Sequence, residues 1–314
     1  MHGRWSNALV VMLWFATMGW LVSAKVLPSL LVGDPPSYHR IANAQKQDPP
    51  VGWRVLLNGC SIGWAISETQ SPSSGLTIVR GWVHFDRVPL RETMPGWLQM
   101  LSQLLGRSVD NLQLDARNEL VLDPLGRLTR FESSVHVDPF NEAIYTRGNV
   151  DGRQLELVVR AGGVPLTTQV FLPSNAIVTD ALSPQCELPG LRAGQKWTVP
   201  VYSPLWPAGS PLEIIHAVVK DTQSIVWNGD LASCRLVEYR NDPGDRTAGN
   251  SKNSPRGRLW VRPDGVVLRQ EMLLFDSTIV FDRMSDTEAK TLLQNAGPEW
   301  WTSKKNDRNG TQHD

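Results

Sequence analysis

Three cysteines in 314 residues are too few to hold a fold together by disulfides. At most one bridge can form within the chain. The spacing of Cys60, Cys186 and Cys234 fits no metal or redox motif, and Cys186 with Cys234 is the expected pair for any bridge. Net charge is lacking as well, because 31 Lys and Arg balance 31 Asp and Glu. Nucleic acid usually demands a basic surface, so it is not expected as a partner. Catalytic signatures are missing too. No Gly-x-Ser-x-Gly, His-Glu-x-x-His or phosphate-binding glycine loop occurs. Acidic residues are scattered, with no pair poised for acid–base work. No cofactor is implied, and the chain does not read as an enzyme.

What is present begins with an apolar run. Residues 8–24 carry no charged side chain. As a helix they would reach about 25 Å, close to a hydrocarbon core of about 30 Å. The chain beyond Lys25 is far more polar. Residues 1–25 therefore read as an N-terminal signal anchor that crosses the bacterial cell membrane once, with the body on the extracytoplasmic side. Val22-Ser-Ala24 resembles a small-residue cleavage site. The alternative is cleavage after Ala24 and a body soluble in the periplasm or secreted. The length of the run, and the apolar residues that resume at Val26, favour the anchor. Residues 26–52 form a tether with proline pairs at Pro35-Pro36 and Pro49-Pro50. A β-rich domain is expected over 53–296 and a polar, disordered tail over 297–314. In that tail Trp300-Trp301 reads as a clasp on the body.

Between tether and tail the pattern is mostly strand-like. Alternating segments are expected at 53–57, 62–69, 76–88, 112–122, 126–137, 144–150, 153–160 and 167–172. They continue at 212–221, 224–227, 234–239, 259–272 and 278–283. Asn58-Gly59 and Asp264-Gly265 mark hairpin turns. The period changes once: Met94, Trp97, Leu98, Leu101, Leu104 and Leu105 lie on one helical face. Thr93 suits its N-cap and Gly106 its stop. A helical turn is expected near 175–182 and a helix at 287–294. The fold class is mainly β with a few helices: a long antiparallel curved sheet, an open half-barrel, covered by a helix.

Two constellations carry conceivable chemistry. His84 and Asp86 share one strand face, as do His136 and Asp138, and together they could ligate a metal if their strands were neighbours. Exposed strand faces are the plainer explanation. Cys186, His216 and Asp221 occur in the order of a thiol triad. Cys186, however, sits in a proline-flanked loop with no helix N-terminus to stabilise a thiolate.

Four segments together resemble the lipoprotein-localisation carrier (LolA/LolB-like) family: Asn58 to Gly63, Gly126 to Phe131, Leu188 to Trp197 and Leu259 to Arg269. The likeness is nearer to uncharacterised exported relatives and spans about 53–284. It implies a sheet curled around a helix with an apolar concavity, and it transfers no catalytic residue. Trp64, Trp82, Trp97 and Leu101 are the expected lining of such a concavity. A soluble carrier is released from the membrane, whereas this chain carries an anchor. The expected role is therefore a membrane-tethered, non-enzymatic structural or partner-binding envelope protein. Binding of a lipid-like or other apolar ligand is the alternative, and a thiol hydrolase the distant one. An empty apolar cavity would favour ligand binding, and a closed core with an exposed apolar patch the partner-binding role. Oligomeric state is left open.

Overall fold

The computed structural model describes residues 12–14, 17–20, 49–72, 75–88, 112–138, 140–161, 164–173, 176–178, 183–202, 212–242, 255–274 and 277–297. Fifteen strands form one sheet. They are β1 (Val51–Leu57), β2 (Cys60–Gln70), β3 (Thr77–Val88), β4 (Leu112–Leu122), β5 (Leu128–Asp138), β6 (Phe140–Asp151), β7 (Gln154–Ala161) and β8 (Val164–Phe171). There follow β9 (Ile177–Val178), β10 (Lys196–Tyr202), β11 (Leu212–Trp227), β12 (Asp230–Asn241), β13 (Gly257–Val261), β14 (Val267–Leu274) and β15 (Ser277–Arg283). The body is thus mainly β. Every pairing is antiparallel except β9 with β10, which is parallel.

The spatial order is β8-β7-β6-β5-β4-β3-β2-β1-β15-β14-β13-β12-β11-β10-β9. Two runs of successive strands meet at a single long-range seam, where β1 pairs with β15. Asn-Gly turns close two of the hairpins. Asn58 and Gly59 have φ of 50° and 80°, and Asn228 and Gly229 have 50° and 89°, the left-handed pair such a turn requires.

The sheet must curl. Laid flat, fifteen strands about 4.8 Å apart would hold its edges about 67 Å apart. Yet the chain passes from Phe171 at one edge to Ile177 at the other in six residue steps, a reach of at most about 21 Å. Side-chain packing agrees: Tyr202 of β10 clusters with Phe131 of β5 and with Leu155 and Leu157 of β7. Among the described residues β8 and β9 do not pair, and the sheet is unclosed.

The inner face carries the main core. Trp53, Val55, Val83, Phe85, Val237 and Phe281 pack there, each at most 3% exposed. An arch of residues 183–191 crosses this interior and brings Cys186, Leu188 and Leu191 into the same core. Backbone bonds hold it: Val267 N–H donates to the Cys186 carbonyl (3.0 Å) and Leu188 N–H to the Gly265 carbonyl (2.7 Å). Arg283 Nη1 also donates to the Cys186 carbonyl (3.2 Å).

One row of the inner face is polar. Ser67, Gly81, Asn118, Ser133 and Thr146 stand opposite one another across β2 to β6, all buried. They separate Ala65, Val83, Ala116 and Val135 on one side from Leu120 and Phe131 on the other. Asn118 Nδ2 donates to Ser183 Oγ, fastening the start of the arch to the belt. Glycine at 81 is required for this: a Cβ there would lie 2.4 Å from Asn118 Oδ1.

Helix α1 (Asp286–Ala296) starts from a capping box. Ser285 Oγ accepts from Glu288 N–H, and Glu288 Oε2 accepts from Ser285 N–H. The Ser285 backbone N–H, and then its hydroxyl, hold the Glu288 carboxyl below the usual range. The helix packs on β1, where Ala289 lies so close to Gly52 that a Cβ there would meet it at 3.1 Å.

Three expectations change. The segments 212–221 and 224–227 are one strand, β11, which absorbs the polar Lys220-Asp-Thr through a bulge between Val219 and Thr222. The turn near 175–182 contributes the short parallel strand β9 at 177–178 instead of a helix. Cys186 and Cys234 do not pair, and all three thiols are free. Cys186 is in the inner core, whereas Cys234 belongs to a separate cluster on the other side of the sheet. Within the apolar leader only 12–14 and 17–20 are described, both helical, and among the described residues no helix is long and apolar enough to cross a membrane. The amphipathic helix expected over residues 94–105, with Trp97 and Leu101, lies outside the described residues, as does Trp300-Trp301.

Candidate functional site

Trp64 and Trp82 point to the outer face, opposite the core. Period-two alternation sets this: Trp53, Val55, Ala65 and Val83 face inward, so Arg54, Trp64, Trp82 and His84 face outward. Register then assembles a cluster. Trp64 stands opposite His84, His84 opposite Asp115, and Trp82 opposite Arg117. The two indoles meet edge to face with centroids 4.7 Å apart. Trp64 stacks on the His84 imidazole at 5.1 Å and 25°. The Arg117 guanidinium lies 4.5 Å from the Trp82 ring centroid.

Asp115 ties this cluster together. Its Oδ1 accepts from Trp82 Nε1 (2.8 Å) and from His84 Nδ1 (2.9 Å). The other imidazole nitrogen, Nε2, lies 3.2 Å from Asp86 Oδ1. Two carboxylates therefore flank one ring, and the doubly protonated imidazolium satisfies both. The hydrogen bond to Asp115 raises the His84 pKa, outweighing the burial that lowers it, with both carboxylate charges adding to the rise. Burial works to raise Asp115, and the bonds from His84 and Trp82 outweigh it, so its carboxyl sits below the usual range. A cation against an indole face is favourable chemistry in its own right. Side-chain exposure grades outward from 12% at His84 through 27% at Asp115 to 65% at Asp86.

The metal constellation does not assemble. Strand β4 lies between β3 and β5, so Asp115 separates His84 from His136. Among the described residues no group of three or more His, Cys, Asp or Glu is placed to hold a metal. The thiol triad does not assemble either. His216 is on the outer face of β11, bonded to Thr198 Oγ1 and Asp242 Oδ1 (both 3.1 Å), whereas Cys186 is inside. Burial pushes the Cys186 thiol up to about 11, the opposite of nucleophile activation. Asp115 and Arg117 escaped the sequence reading. Only strand register puts them beside Trp82 and His84, and a lone Asp inside a strand gives no local signal of it.

A second tryptophan pair sits elsewhere on the outer side. Trp227 and Trp260 cluster with Cys234, Leu236 and Leu268, each at most 8% exposed apart from the partly buried Trp227. Trp227 Nε1 donates to the Arg283 carbonyl (2.8 Å), which brings the tip of the β11–β12 hairpin over the end of β15.

No family model matches the chain, and no curated protein matches it. The resemblance to lipoprotein-localisation carriers therefore rests on the quoted segments alone. Two solved structures are similar over much of the chain. One is a β-barrel-like protein of a domain of unknown function, DUF1849, from Brucella abortus: 11% identical, TM-score 0.45, covering 75% of this chain and 95% of that one. The other is a DUF1089 family protein from Pseudomonas aeruginosa: 15% identical, TM-score 0.34, covering 66% of this chain and 88% of that one.

Proposed function

We propose that this chain is a non-enzymatic envelope protein, held at the membrane by residues 8–24, that binds a partner through the outer face of β2 to β4. One observation carries the reading. On the inner face Trp53, Val55 and Phe281 are fully buried, while Trp64, Trp82, His84 and Asp115 form a partly buried aromatic and ionic cluster outside. Half-buried tryptophans with polar edges are enriched where proteins meet partners. The proline-paired tether would set the body a short distance from the bilayer.

The test is photo-crosslinking in cells from single sites in the full chain. Probes at Asp86 and Gln113, which are exposed and border the cluster, should give a discrete adduct. That adduct should disappear in the Trp64→Ala background. A probe at Glu156, exposed on the far outer face, should give none. Equal labelling at all three sites, or none at Asp86 and Gln113, defeats the reading. Native mass spectrometry of the chain from its own membrane should show no retained apolar molecule.

A further inference from the structure

The free edge of the sheet carries an interaction surface distinct from the Trp64 cluster. Among the described residues β8 pairs only with β7. Its sequence, Val164-Pro-Leu-Thr-Thr-Gln-Val-Phe171, has no charged residue. Natural edge strands are normally blunted by charge, proline, bulges or a covering segment, and of these devices β8 itself carries only Pro165. Here residues 165–169 are exposed in succession, and Leu166 is 63% exposed although it lies on the inner face opposite Val159.

The backbone directions follow from one bond. Leu172 N–H donates to the Arg153 carbonyl (2.8 Å), so residue 172 points its polar groups at β7. The register runs through β8 without a bulge. In an antiparallel ladder such residues alternate. Residues 170, 168, 166 and 164 therefore also face β7, and Pro165, Thr167, Gln169 and Phe171 turn theirs outward. Proline falls on an outward position, where its missing N–H costs no ladder bond.

We infer that β8 pairs antiparallel with β8 of a second copy of this chain, about a two-fold axis through Thr168. The outward groups admit that register, and the Leu166 side chain selects it. With Thr168 opposite its own copy, Thr167 meets the partner's Gln169 and Phe171 meets the partner's Pro165. All three outward N–H groups of each strand then donate to a carbonyl, and the absent N–H of Pro165 leaves no donor unpaired. Leu166 comes opposite the partner's Val170, covering an apolar side chain that is otherwise in water. An axis at Thr167 would set Phe171 against residue 163, beyond β8, and an axis at Gln169 pairs the same N–H groups but moves Leu166 off the partner's Val170. The uncharged strand meets itself without repulsion, so a second copy fits better than a partner chosen by charge.

The test uses the full chain in detergent. In a Cys60→Ser background, which removes the exposed native thiol, Thr168→Cys should oxidise to a disulfide-linked dimer. Leu166→Cys in the same background should not, because its counterpart across the axis is Val170. Sedimentation of the unmodified chain should show mass rising towards the dimer with concentration. Thr167→Pro deletes an outward donor without touching the β7 ladder and should abolish the dimer, with circular dichroism unchanged. Gln169→Pro is the second such variant, should the first unfold. A chain that stays monomeric, or equal crosslinking at 166 and 168, overturns the inference. A complex of one copy with another protein's segment along β8 overturns it too.

Discussion

Two tryptophan pairs lie on the outer side of one sheet, and they have opposite fates. Trp260 is buried and Trp227 partly buried, both packed with Cys234, Leu236 and Leu268. Trp64 and Trp82 are partly buried and ringed by the polar and charged groups of His84, Asp115 and Arg117. The difference is chemical before it is geometric. An indole surrounded by aliphatic carbon gains most by leaving water, whereas one flanked by ions keeps those ions hydrated only if the site stays open. The first pair serves stability, and the second forms the face proposed for a partner.

That contrast can be broken by substitution. Trp260→Ala should cost the most, about 3–5 kcal/mol, because it empties a nearly buried site. Denaturant titration measures it, and a cost no larger than that of Trp64→Ala would erase the distinction. Asp115→Ala should cost about 1–3 kcal/mol, since it strands the Trp82 N–H and the half-buried His84 ring. Asp115→Asn, which keeps an acceptor, should recover part of that loss in the same titration. Trp64→Ala should cost only about 1 kcal/mol, the scale of an aromatic contact at a partly open site, yet remove partner crosslinking.

The smallest effect is in pH. The folded-state pKa of His84 is raised, so its contribution to stability is fully present below the unfolded value near 6.5 and is lost as pH rises through the folded value. Asp115 is lowered, so its contribution holds above about 3.8 and is lost as pH falls through its folded value. Between those limits the pair is intact. Thermal unfolding of the wild-type chain should lose midpoint temperature above neutrality relative to His84→Gln. Parallel curves would show that the ring carries no such charge.

Much of the sheet was legible because alternation and turn residues act locally. The strand at 112–122 and the turns at Asn58-Gly59 and Asp264-Gly265 follow from period two and positive-φ preferences. The bulged β11 was not legible, because Thr222-Gln223 reads as a break unless the neighbouring strand is there to carry the ladder across. Strand β9 is two residues long and exists only through its partner β10. For the site, Trp64, Trp82 and His84 were visible as residues but not as a group. Alternation says that Trp82, His84 and Asp86 share a face; it does not say which face is inside. Asp115 needed the register of β3 against β4. The expected Cys186–Cys234 pair failed for a related reason, since nothing local says that one thiol enters the interior and the other leaves it.

The seam between β1 and β15 also makes the chain permutable. Met284 N–H donates to the Gly52 carbonyl at 2.9 Å, so the two ends of the body lie side by side. The passage at 172–176 joins the two edges of the sheet. A gene that links residue 297 to residue 49 and opens at 173 would encode β9 to β15 followed by β1 to β8. In that order each strand would be followed by its neighbour in space, with no seam. The native chain must close a loop of more than two hundred residues to form one pairing. The permuted chain would close only short ones, and it should fold faster to the same sheet.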